Sequence, residues 1–67
     1  MMVEALIVKI MKNSKTITLE GLYQQITPMI EARGYLFNKA FVDNALAGLI
    51  DKFIKGPENG TYSYLAS

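Results

Sequence analysis

Apolar residues recur along this chain in three helical phases, followed by a β-type alternation. Val3, Leu6, Ile7, Ile10 and Met11 make one stripe at helical spacing, and Glu4, Val8 and Lys12 mark the opposite side at four-residue steps. The pattern predicts a first helix over Val3 to Lys12, its acid near the N-terminus and its lysine near the C-terminus, as the helix dipole favours. Asn13-Ser14 ends it, since both residues prefer turns to helix interiors. The short, β-branched run Lys15-Thr16-Ile17-Thr18 predicts a small strand or extended link.

A second helix follows over Leu19 to Arg33. Thr18 is its N-cap and Glu20 sits in its first turn. Leu19, Leu22, Tyr23, Ile26, Met29 and Ile30 share one face, with Glu20, Gln24 and Glu31 on the other. Pro28 removes a backbone donor, yet the apolar phase is the same on both sides of it. One helix kinked at Pro28 is therefore expected, the alternative being a fresh start capped by Thr27. Gly34 is the stop signal. Tyr35-Leu36-Phe37 is an apolar connector expected to pack inward. Asn38 caps a third helix over Lys39 to Lys52, with Val42, Ala45, Leu46, Leu49, Ile50 and Phe53 buried and Asp43, Asn44, Ala47, Gly48 and Asp51 outward. Phe53-Ile54-Lys55 and Thr61 to Leu65 then form a hairpin around the turn cluster Gly56-Pro57-Glu58-Asn59-Gly60. Tyr62, Tyr64 and Ala66 share one face of its last strand. Helix, short strand, helix, helix, hairpin is the winged-helix order: an α+β, mainly α fold with a C-terminal β-hairpin wing.

Composition narrows the chemistry. With 67 residues the chain is at most one domain, and a hydrophobic fraction of 51% supplies a dense core. There is no histidine and no cysteine. Disulfides and Ser-His or Cys-His nucleophile pairs are excluded, and no metal site is expected. The acids Glu4, Glu20, Glu31, Asp43, Asp51 and Glu58 are scattered over polar faces, so no acid–base pair is expected and no residue is assigned as catalytic. No cofactor motif is present. The Met2 to Met11 run is far short of the ~20 apolar residues that span a bilayer, so no membrane partner is expected.

Nucleic acid is the first partner to test for this fold, because winged-helix domains often insert the third helix into the major groove. Seven Lys and Arg against six Asp and Glu leave a net charge of only +1. The outer face of the third helix carries Asp43 and Asp51, whose carboxylates phosphate would repel, and Lys39 and Lys52 do no more than balance them. Lys55 and Glu58 cancel in the wing. No nucleic-acid-binding residue is assigned, and a nucleic-acid-binding module is kept as the reading from another class.

Two end motifs carry a resemblance. Ala5-Leu6-Ile7-Val8-Lys9-Ile10-Met11-Lys12 resembles the opening helix of the C-terminal winged-helix domain of cullins, which reads Ile-Val-Arg-Ile-Met-Lys. Leu49-Ile50-Asp51-Lys52-Phe53-Ile54 resembles the end of that domain's third helix, and Thr61-Tyr62-Ser63-Tyr64-Leu65-Ala66 its final strand. The chain departs from the family at Asn13-Ser14-Lys15, at Gly34-Tyr35-Leu36-Phe37 in place of Phe-Lys-Pro, at Val42-Asp43-Asn44 in place of a basic stretch, and in ending on Ser67. With these departures, the resemblance implies a divergent cullin. The resemblance implies that residues 1–67 are one domain of a larger, non-catalytic scaffold in a multisubunit RING ubiquitin ligase, cytoplasmic and nuclear. It implies that Lys12 accepts a ubiquitin-like modifier as an isopeptide. Val8 and Lys9 would then contact the modifier or its carrier. The implied partners are a RING-box protein, the neddylation carrier enzyme and the modifier. Within the family, the alternative is the cullin-like subunit of the anaphase-promoting complex, which is not neddylated.

Overall fold

The computed structural model of the chain describes residues 2–65, so the expectations for Ala66 and Ser67 lie outside it. In chain order it contains α1 (Met2–Ser14), β1 (Thr16–Thr18), α2 (Leu19–Ala32), α3 (Lys39–Leu49), β2 (Ile54–Glu58) and β3 (Thr61–Tyr64). The strands form one antiparallel sheet in the order β1-β3-β2, which places the last strand in the middle. The short link after α1 thus becomes a sheet edge, with Ile17 opposite Tyr62.

The core is where the helical stripes meet. Leu6, Ile7, Ile10 and Met11 of α1 are buried with Leu22, Ile26 and Ile30 of α2 and Val42, Ala45, Leu46 and Leu49 of α3. Ile17 and Ile54 close the cluster from the sheet, and Tyr62 and Tyr64 pack half-buried against it. No polar side chain is buried among the described residues. With nothing polar to satisfy inside, the fold rests on apolar area removed from water.

The caps follow the sequence. Thr18 Oγ1 accepts from the Gly21 amide at 3.1 Å, and Asn38 Oδ1 accepts from the Phe41 amide at 3.2 Å. α2 is one helix with Pro28 inside it. Gln24, whose carbonyl loses its usual donor at the proline, is exposed, so water can serve it. At the C-terminal end the Gly34 amide donates to Glu31 and the Tyr35 amide to Ile30, at 3.0 and 3.3 Å. This paired closure requires a left-handed residue at position 34, and Gly34 takes φ +85° there without a β-carbon to clash.

Three boundaries and the packing of one connector differ from expectation. α1 continues through Asn13 and Ser14, because Lys15 itself adopts the left-handed turn (φ 69°) and its amide closes on Met11 at 2.7 Å. α3 stops at Leu49 instead of reaching Lys52. Ile50 is extended and bridges Ile54, Asp51 is left-handed (φ 69°), and the Asp51 amide donates to the Ile54 carbonyl at 2.8 Å. That turn shifts the phase, so Ile54 is buried and Phe53 is left 47% exposed. The wing turn is only Asn59-Gly60, both left-handed as a two-residue type I′ turn requires, and Gly56-Pro57-Glu58 joins β2. Finally, Tyr35 and Leu36 do not pack inward; they are 61% and 88% exposed. Only Phe37 turns in, edge-on to Tyr23 at 5.5 Å.

Candidate functional site: the last turn of the first helix

α1 is held on the core along one side, which fixes what its other side displays. Lys12 lies in the last turn, exposed, two residues before the helix ends. Lys9, one turn earlier, is also exposed. Val8, four residues before Lys12 on the same ridge, is half-buried and packs against the core, so only part of its side chain faces outward. Further back on that ridge, Glu4 Oε2 lies 3.3 Å from where a β-carbon on Gly48 would stand. The bare, exposed backbone at Gly48 is where the Glu4 carboxylate passes α3.

Lys15 differs from its neighbours. Its carbonyl accepts from the Tyr64 amide at 2.7 Å, and its Nζ stands 5.7 Å from the centre of the Tyr64 ring. Helix end and central strand are thereby fastened together immediately after Lys12, with the lysine ammonium facing a π-cloud. The three lysines at this end therefore divide into two exposed helical ones, Lys9 and Lys12, and one tied to the sheet.

The third helix carries a pairing that sequence reading missed. The Tyr23 hydroxyl donates to Asp43 Oδ1, linking α2 to α3. Partial burial, then the hydrogen bond and negative charge of Asp43, push the Tyr23 phenol up from 10.0 to about 12. Asp43 is thus half-buried and engaged rather than a solvated residue of the outer face. Lys39, expected to balance Asp43, instead sets its Nζ 5.9 Å from the centre of the Tyr23 ring. A polar tip on an apolar stripe was the only hint in the sequence. Asn44, Ala47, Gly48 and Asp51 are exposed as expected.

Three helices closed by a three-stranded antiparallel sheet make this a winged-helix domain. No family model matches the chain, and no curated protein matches it. Among solved structures it is similar to the winged-helix B domain of Cdc53 in complex with Dcn1, a structure concerned with a dual E3 mechanism for Rub1 ligation to Cdc53. The two share 27% identity at a TM-score of 0.88, and the match covers 97% of this chain and 77% of that one. Together with the end motifs described above, this likeness supports a cullin winged-helix B domain. Such a domain is of scaffold type, which fits a non-catalytic role.

Proposed function

We propose that the chain is the C-terminal domain of a cullin-type scaffold in a multisubunit RING ubiquitin ligase, and that Lys12 is the acceptor of a ubiquitin-like modifier. The observation that carries the reading is the position of Lys12. It is an exposed lysine in the last turn of a helix whose opposite side is fully packed, in a domain similar to one solved with Dcn1 in a study of Rub1 ligation. In the transfer, the neutral Lys12 amine attacks the thioester carbonyl joining modifier and carrier. A C–N bond forms, the C–S bond breaks, the carrier thiolate leaves and the amine proton passes to base. An ammonium has no lone pair, so the carrier must assist that proton's removal; this domain supplies the nucleophile and its placement.

The exposed parts of Val8 and Lys9 adjoin Lys12 and are the proposed contacts for carrier or modifier. The neddylation carrier, the modifier and a RING-box protein are the proposed partners, in cytoplasm and nucleus. The test is reconstituted modification of the wild type and Lys12→Arg. One isopeptide-linked product is expected for the wild type and none for the variant, with thermal stability unchanged because the arginine keeps charge and exposure. A wild type that is never modified would favour the non-neddylated anaphase-promoting-complex reading. Undiminished modification of Lys12→Arg would overturn the assignment of the residue.

A further inference from the structure

A second surface, apart from Lys12, lies where α2 begins, α3 passes and the wing folds over. There Leu19, Leu46, Ile50, Pro57 and Tyr62 wall an open groove of about 300 Å³, and Asp43 is the only charged residue lining it. We propose that this groove receives a protein segment in which an apolar side chain stands beside a lysine or arginine.

Charge decides the occupant. The hydrogen-bond partner of Asp43 is the neutral Tyr23 phenol, and Lys39 is directed at the Tyr23 ring. A carboxylate has lone pairs for several donors, so a hydrogen bond on Oδ1 leaves Oδ2 able to accept. Glu20 acts on the Tyr23 phenol and Lys39 on its ring, and Lys55 offsets Glu58 in the wing, so the net charge lining the groove is that of Asp43. A half-buried carboxylate beside apolar walls attracts a cation more strongly than one in open water. Tyr62 lines the same groove and adds apolar surface for the anchor. The same carboxylate repels phosphate. The volume is at the low end of ligand pockets, which run from about 300 Å³ upward, and suits one or two side chains better than a cofactor. An apolar anchor with a cation at its rim satisfies both the walls and the acid.

The test is an amide-resolved NMR titration of the domain with two capped tetrapeptides, acetyl-Ala-Leu-Arg-Ala-amide and acetyl-Ala-Leu-Glu-Ala-amide. The arginine peptide is expected to shift the amides of Asp43, Ala47 and Tyr62, with the glutamate peptide about tenfold weaker. Asp43→Asn keeps an oxygen for the Tyr23 hydroxyl but removes the charge, and should weaken the arginine peptide by a similar factor. Tyr23→Phe cuts the hydrogen bond but keeps the charge, and should bind the peptide at least as well as the wild type. Absent shifts, equal shifts with both peptides, full binding by Asp43→Asn, or saturable binding of a DNA duplex at these amides would each overturn the proposal.

Discussion

The end of α3 places Ile54 in the core and Phe53 at the surface, and a pair of alanine substitutions measures that placement. Ile54 is 0% exposed and Phe53 47%. Ile54→Ala removes three buried carbon groups at ~0.8 kcal/mol each, and a cavity adds to that, for a total of ~3–4 kcal/mol. Phe53→Ala removes a larger side chain, but about half of it is already in water and the space left opens to solvent. Its cost is ~1 kcal/mol. A chain of this length has roughly 3–10 kcal/mol of stability in all, so Ile54→Ala should remove about a third of it or more, while Phe53→Ala leaves most of it. Urea unfolding followed by circular dichroism reads both, with midpoints moving about 1 M per kcal/mol at the slope expected of a small domain. If α3 ran on to Lys52, Phe53 would close its buried stripe and the order would invert. A Phe53→Ala cost equal to or above that of Ile54→Ala would refute the turn at Ile50 and Asp51.

Two further outcomes follow from particular positions. Gly34→Ala meets no atom within 4 Å and suffers only its φ of +85°, costing about 1 kcal/mol, whereas Gly56→Ala combines φ +128° with a β-carbon 2.9 Å from the Thr61 carbonyl and should cost clearly more in the same urea assay. Ultraviolet titration should show the Tyr23 phenol ionising near pH 12, and Asp43→Asn should lower that midpoint. Because the folded pKa lies above the unfolded value of 10.0, the folded state holds the proton longer; this contribution to stability is fully present below pH 10 and is lost as pH rises from about 10 to 12. In Tyr23→Phe that loss should disappear.

Much of the architecture was legible in the residues. The stripes of α1 and α2, the Thr18 and Asn38 caps and the Gly34 stop are each set by a few neighbouring residues, and all stand where the pattern put them. The candidate site was legible in part. Lys12 on the open side of α1 follows from helical phase, but that Val8 is half packed, and that Lys15 is tied to Tyr64, required knowing what α1 lies against. The exposure of Tyr35 and Leu36 is not legible in the residues, because an apolar run shows preference for burial without showing whether a connector of that length can reach the core.

By itself, the sequence determined the local events: where helices form, how they are capped, which face of each is apolar and which type of domain results. Those depend on contacts within a few residues. Tertiary structure alone decided the end of α3, the entry of Ile54 into the core, the joining of Tyr23 to Asp43 across two helices and the charged groove beside the wing. The physical reason is visible at Phe53. Its spacing continues the helical stripe, but the pairing of Ile50 with Ile54 and the sheet that follows turn the chain first, and periodicity carries no information about a partner that lies elsewhere in the fold.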